Sequence, residues 1–155
     1  MALLLKKINL DLKKKKKMNQ LIVFALVIAL HVSLNEACNK VNIVEIHNNL
    51  APGRVLMHHC TGSINEQDKG VQYLKFNEVF RIEFSDVSNR RERTEWNCLL
   101  RHGDKLEYQF KVQVYRAAAL ERCDQYRSWT AKNDGIWFRR DRTKPSGHVL
   151  NWKKT

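Results

Sequence analysis

Tyr108-Gln109-Phe110-Lys111-Val112-Gln113-Val114-Tyr115 alternates ring-bearing or branched apolar side chains with amides and a lysine. A repeat of two puts Tyr108, Phe110, Val112 and Val114 on one side of an extended chain and Gln109, Lys111 and Gln113 on the other. That is the pattern of a strand with one buried and one wet face. Val79–Phe84 repeats it, with Phe80, Ile82 and Phe84 opposite Arg81 and Glu83. Weaker versions run over Val41–Ile46, Val55–Cys60, Val71–Phe76, Thr94–Leu100, Trp129–Ala131, Ile136–Arg140 and Val149–Trp152. Turn chemistry separates them: Asn48, Asn49, Pro52 and Gly53; the polar stretch Gly62–Gly70; the charged Asn89–Arg93; and His102-Gly103-Asp104. Asn133-Asp134-Gly135 is a hairpin signal, because Asp and Gly tolerate positive φ. Ala117–Arg122 alone in this region reads as helical, for a turn or two. Short strands with turns at near-regular spacing predict an all-β fold, a small antiparallel β-sandwich. No βαβ pattern appears, which argues against a nucleotide-binding α/β domain.

The N-terminal region reads differently. Leu21–Leu34 (LIVFALVIALHVSL) is fourteen residues with one imidazole and one hydroxyl, after the run Lys13–Lys17 and before Asn35-Glu36-Ala37. A basic flank, a short apolar stretch and a small residue read as a secretory signal peptide. The stretch falls short of the roughly 20 apolar residues that a spanning helix needs. Residues 1–37 are therefore expected to be removed as a signal with a basic leader, leaving 38–155 as one secreted domain. Of the chain's 28 Lys and Arg and 16 acids, residues 1–37 hold seven and two. The domain thus keeps 21 bases against 14 acids, a net +7 in place of the whole-chain +12. Such a protein is drawn to anionic surfaces such as an acidic cell-wall component or an acidic receptor face. Export argues against nucleic acid as the partner, and no stable membrane insertion is expected after processing.

Four cysteines follow the signal: Cys38, Cys60, Cys98 and Cys123. An even count in an exported domain predicts two disulfides, with three possible pairings. Zinc would want close pairs of the Cys-x-x-Cys kind, which are missing. Cys60 and Cys98 both sit at strand positions and could join two sheets, so they are the favoured pair. His58-His59-Cys60 resembles a ligand cluster, but adjacent residues on a strand face opposite ways. One histidine is expected in the core with a hydrogen bond and the other in solvent. Neither a Gly-x-Ser-x-Gly elbow nor a recurring carboxylate pair is present. Acid–base chemistry from His59, His102 and His148, as in a small secreted basic hydrolase or nuclease, is the enzymatic alternative. Trp96 is in phase with Cys98 and is expected to pack beside a disulfide in the core. Arg90-Arg91-Arg93 and Arg139-Arg140-Arg142-Lys144 serve either as protection of loops and sheet edges or as contacts for an acidic partner.

An ordered set of short features then assembles: Val44-x-Ile46 with Asn48-Asn49-Leu50, His59-Cys60, Asp68-Lys69-Gly70, a strand ending in Phe84, Thr94-x-Trp96-x-Cys98, Tyr115, Cys123, Trp129 and Asp134-Gly135-Ile136. This resembles the plant self-incompatibility S-protein homologue family, from about Val41 to Phe138. The resemblance implies a small, basic, secreted plant protein with a disulfide-held β-sandwich, no catalytic activity and no cofactor. The best-understood members resemble stigma-borne ligands that bind a pollen membrane protein. The chain departs from the family pattern where Arg127 and Ser128 replace the cysteine usual just before the Trp. That departure leaves Cys123 without the family's usual partner, and Cys38 is the candidate to replace it. The loop after Cys60 is also longer than usual, and Lys69 stands in place of a common leucine.

The expected function is recognition of a cell-surface receptor by loops on a rigid scaffold. The candidate contact residues are Asn65 and Asp68 in Thr61–Gly70, Arg90, Arg91 and Arg93 in Ser88–Arg93, and His102 and Asp104 in Arg101–Lys105. A membrane- or wall-binding defence protein, acting by charge alone, is the other alternative.

Overall fold

Alternating side chains become two facing sheets in the computed structural model of this chain, which describes residues 15–27, 41–87, 92–119 and 122–155. The chain divides into two units, Met1–Asn39 and Lys40–Thr155. In the first, residues 15–27 are helical and exposed. Among the described residues no helix is long and apolar enough to cross a membrane. Most of the expected signal, residues 1–14 and 28–37, lies with Cys38 outside the described residues, as do Arg90 and Arg91.

The second unit contains strands β1 (Asn42–Asn48), β2 (Leu56–Gly62), β3 (Asp68–Leu74), β4 (Val79–Phe84), β5 (Glu95–His102), β6 (Tyr108–Arg116), β7 (Tyr126–Lys132), β8 (Gly135–Arg139), β9 (Gly147–Leu150) and β10 (Lys153–Lys154). They form two five-stranded sheets, in the orders β4-β1-β7-β8-β9 and β10-β6-β5-β2-β3. The predicted β-sandwich is therefore present. Its pairings are antiparallel except β1 with β7, which run parallel from Ile43↔Tyr126 to Asn48↔Ala131. The predicted hairpin forms at Asn133-Asp134, with β7 and β8 paired outward from Lys132↔Gly135.

The core is the inward half of each alternation. Val44, Ile46, Ile82, Trp129, Ala131 and Ile136 of the first sheet meet Leu56, Cys60, Trp96, Cys98, Leu100, Val112 and Val114 of the second. Phe80, Phe84 and Phe110 are only partly buried and flank this core. In the β5–β6 register, Trp96 faces Tyr115 and Asn97 faces Gln113, leaving Val114 as an extra residue at a bulge. The Val114 carbonyl accepts a hydrogen bond from Trp129 Nε1 at 3.0 Å, joining the two layers. A second tie lies near the C-terminus, where Trp152 Nε1 donates to the Lys132 carbonyl at 2.7 Å. Trp152 sits between β9 of one sheet and β10 of the other.

A disulfide joins Cys60 and Cys98, but it does not bridge the layers. The two residues are direct cross-strand partners in β2 and β5 of one sheet, with Cα atoms 4.1 Å apart. This is the close, non-hydrogen-bonded type of antiparallel pair, the one that brings side chains nearest. Cys123 is disulfide-bonded as well, while its expected partner, Cys38, lies outside the described residues.

Two local expectations are corrected. The described residues of Ala117–Arg122 are not helical. Ala117 is buried and its N–H donates to the Thr94 carbonyl at 2.8 Å. Cross-strand pairing and burial outweigh alanine's modest helix preference. The polar loop Gly62–Gly70 is also shorter than predicted. Asp68 already pairs with Thr61, leaving only the 3-10 turn Ile64–Glu66, in which Asn65 takes φ 54°.

His58 is the core histidine, but it lacks the expected hydrogen bond. It is fully buried, neither ring nitrogen has a partner among the described residues, and its ring lies 4.3 Å from that of Phe80 in the opposite sheet. Burial, with a smaller contribution from His59, pushes its pKa down to about 4. Above the ordinary histidine pKa the ring is neutral in both states. As the pH falls below about 6.5 the unfolded chain takes up a proton that the folded chain refuses until about 4. Stability should fall by about 3 kcal/mol between pH 7 and pH 4 from this residue. Urea midpoints at pH 7, 5.5 and 4 should show that portion of the slope missing in His58→Leu. Equal slopes in the two proteins would exclude His58 as its source.

Candidate functional site

Strand register sorts the loops between two ends of the sandwich. β2 pairs β5 from Met57↔Arg101 to Gly62↔Trp96, and β1 pairs β4 from His47↔Val79 to Asn42↔Phe84. The rings of Phe84 and Trp96 are 5.8 Å apart, so these termini share one end. That end presents the β2–β3 turn, the segment that follows Phe84, and the starts of β5 and β7. The opposite end presents the loop after Asn48 and the β5–β6 turn.

At the first end a single hydroxyl couples two predicted recognition loops. Ser63 Oγ donates to the Arg93 carbonyl at 2.9 Å and accepts from the Glu95 N–H at 2.9 Å. The Ser63 N–H donates in turn to the Glu95 carbonyl at 2.9 Å. The turn crosses Trp96 at Gly62, where a Cβ would stand 3.0 Å from the indole, so only glycine lets the backbone lie on the ring without displacing it. Beside these residues is a small cleft of about 160 Å³, with Ile64, Gln67, Phe84 and Trp96 in its walls. Asp68 opens β3, and its Oδ1 is 2.7 Å from His59 Nε2. The Gly70 N–H, and after it His59, hold the Asp68 carboxyl below its ordinary pKa. Asn65, Asp68 and Arg93 thus belong to this end.

His102 and Asp104 belong to the other. Asp104 pairs with Arg54 at 2.7 Å, both side chains exposed. The His102 ring stacks on Tyr108 at 5.0 Å and meets Trp152 edge-on at 4.3 Å. Burial holds its pKa below the usual value. These residues, with Glu107, line a cleft of about 550 Å³. The predicted contact residues therefore do not share one surface. The three histidines of the enzymatic alternative are also dispersed: His59 on β2, His102 at the opposite end, and His148 on β9 beside the Asp134 carbonyl at 3.2 Å. Among the described residues, no three His, Cys, Asp or Glu side chains converge where they could hold a metal ion.

A third feature joins the outer ends of the β7–β8 hairpin. The Ser128↔Arg139 pairing places the start of β7 beside the end of β8. Residues 124–127 and 140–142, with Lys144, line a cleft of about 480 Å³. Arg127 is pinned there by donating to the carbonyl of Tyr126 at 2.8 Å and to Gln125 Oε1 at 3.2 Å. The Arg142 guanidinium lies 4.6 Å over the Tyr126 ring. Tyr126 accepts from Arg139 at 2.9 Å and donates to Glu45 Oε2 at 2.6 Å. Burial, and then the neighbouring Arg140 cation, pull the Arg127 pKa below its ordinary value. The run Arg139–Lys144 stands out in the sequence as a charge cluster; Arg127 does not. The missing signal was the hairpin register, since counting outward from Asn133-Asp134 pairs Ser128 with Arg139 and so sets Arg127 beside Arg140.

Comparison with known proteins places this geometry among relatives. The profile of the family described as "Plant self-incompatibility protein S1" matches residues 43–152. S-protein homolog 30 of Arabidopsis thaliana is 45% identical over 127 residues, covering 78% of this chain and 93% of the relative. S-protein homolog 25 of the same plant is 40% identical over 141 residues, covering 88% and 99%. A solved structure of SPH (Self-Incompatibility Protein Homologue) proteins, described as "a widespread family of small, highly stable, secreted proteins from plants", superposes with a TM-score of 0.60. It is 33% identical and covers 76% of this chain and 98% of its own.

Proposed function

We propose, since this chain belongs to the plant self-incompatibility protein S1 family, that it is an exported recognition ligand acting by binding a cell-surface receptor. Export follows the signal-like residues 1–37, whose removal leaves the β-sandwich, and agrees with the description of the SPH proteins as secreted. The observation that carries the receptor reading is the Ser63 hydroxyl, which fastens the β2–β3 turn to the entry of β5. Asn65 and Arg93 are thereby presented together on a stiff support. Loops held by a rigid scaffold lose little freedom on binding, and that leaves more of the contact energy for affinity. The net positive charge would speed encounter with an acidic receptor and make it salt-sensitive.

The test is binding of labelled protein to plant plasma-membrane fractions, with and without prior protease treatment of the membranes. Binding should be saturable and protease-sensitive. Asn65→Lys with Arg93→Glu should weaken it about tenfold or more, as reversal of central interface contacts does. Asp104→Lys, at the opposite end, should leave it unchanged. Binding that survives protease treatment, or that responds equally to both ends, would defeat the receptor reading.

A further inference from the structure

The arginine cleft between β7 and the β8–β9 loop opens at the same end of the sandwich as Asn65 and Arg93 but shares no lining residue with the cleft beside them. We propose that this cleft binds the carboxylates of an acidic polysaccharide, with Arg127 as a fixed anchor and Arg140, Arg142 and Lys144 as the exposed contacts. The inference does not rest on the receptor reading.

Its first support is an excess of positive charge. Arg127, Arg140, Arg142 and Lys144 line the cleft against two carboxylates, Asp124 and Asp141. Asp141 is turned into its own loop, accepting from the Thr143 N–H at 2.9 Å and the Thr143 hydroxyl at 3.0 Å. Among the described residues none of the four cations has a carboxylate within ion-pair distance. Arg127 is the most confined, and the repulsion from Arg140 outweighs the attraction of the Asp86 carboxylate. Like charges held together in a partly desolvated place raise the energy of the empty site, and an entering anion lowers it.

The second support is preorganisation. Arg127 is held by backbone and amide acceptors, and Arg142 is held over the Tyr126 ring. Planar guanidinium groups in fixed positions match the two oxygens of a carboxylate better than mobile ammonium groups do. The volume of about 480 Å³ falls in the range of roughly 300–1,000 Å³ common to ligand clefts.

The third support concerns the class of ligand. The lining residues are charged or amide-bearing except for Tyr126, which is buried beneath its arginines, so what apolar surface the cleft exposes comes largely from the stems of charged side chains. There is no apolar pocket for the anchor side chain that a peptide partner would insert. A chain of uniformly spaced carboxylates needs only spaced cations.

The experiment titrates the protein expressed from its full sequence, by calorimetry at two salt concentrations, with three probes: an oligogalacturonate, a poly-glutamate of equal charge, and inorganic phosphate. The oligogalacturonate should bind most tightly. Arg140→Gln with Arg142→Gln should weaken it about 100-fold, at about tenfold per charge-assisted contact. Lys105→Gln with Lys111→Gln removes the same charge elsewhere and should change it by about twofold or less, because exposed charges beyond a Debye length are screened. Arg140→Lys with Arg142→Lys keeps the charge but loses the forks and should recover only part of the affinity. Ring proton resonances of Tyr126 should shift during the titration. Equal losses in the two Gln double variants would mean diffuse charge and overturn the site. Tightest binding of poly-glutamate would assign the cleft to an acidic protein, and tightest binding of phosphate to a small anion; either result overturns the polysaccharide.

Discussion

Replacing Cys60 and Cys98 together by Ala is expected to lower the free energy of unfolding by about 4 kcal/mol, the chain-entropy value for a loop of this length. The loop spans 38 residues. Because the two cysteines are already neighbours in one sheet, the bond adds little to the arrangement of the folded state. β2 and β5 hold their register through the ladder from Met57↔Arg101 to Gly62↔Trp96 whether or not sulfur joins them. The gain lies in the unfolded chain, which loses the conformations in which those strands drift apart. Urea denaturation of the double variant, with the disulfide of Cys123 left oxidised, should show an earlier midpoint. Its unfolding slope should be somewhat steeper, because a less constrained unfolded chain exposes more surface. A loss below about 1 kcal/mol would mean that residual structure or the remaining cross-link already restricts the unfolded state.

Trp96→Ala is expected to cost about 3–5 kcal/mol, the range for truncating a large buried aromatic side chain. The indole is only 2% exposed. It rests on Gly62, stands 5.8 Å from the Phe84 ring, and has Lys69 Nζ 5.4 Å from its centroid. Gly62 cannot refill the space, since it has no side chain, and its backbone is held by hydrogen bonds of the turn. Collapse is therefore blocked on that side, which puts the cost toward the upper part of the range. The same residue supports the Ser63 coupling between loops, so the proposed receptor binding should weaken along with stability. Thermal or urea unfolding measures the first effect. A change under about 1 kcal/mol would place the indole outside the cohesive core.

How much of this was legible in the chain depends on the range of each interaction. Phe80, Ile82 and Phe84, and Tyr108 through Val114, announced their strands because a period of two is a local property that any half-buried strand must obey. Trp96 in phase with Cys98 announced a core aromatic beside a disulfide for the same reason. The flanking phenylalanines were over-assigned to the interior. Alternation says which way a side chain points but not how far the opposing sheet extends over it. His58 and His59 were separable by parity, yet the missing hydrogen bond of His58 was invisible. Its neighbour, Phe80, comes from the other sheet and offers no acceptor.

The local code of this protein, set by side-chain parity and turn chemistry, determined two-faced strands, their hairpin at Asn133-Asp134, an oxidised cysteine pair and an excess of positive charge. Tertiary structure alone decided the parallel union of β1 with β7, the confinement of the Cys60–Cys98 bond to one sheet, and the separation of Asn65 and Arg93 from His102 and Asp104. Neighbours along the chain constrain one another through bonds and pleat. Partners separated by 83 positions, as in Ile43↔Tyr126 (126 less 43), meet only when burial of both sheets selects one register among many.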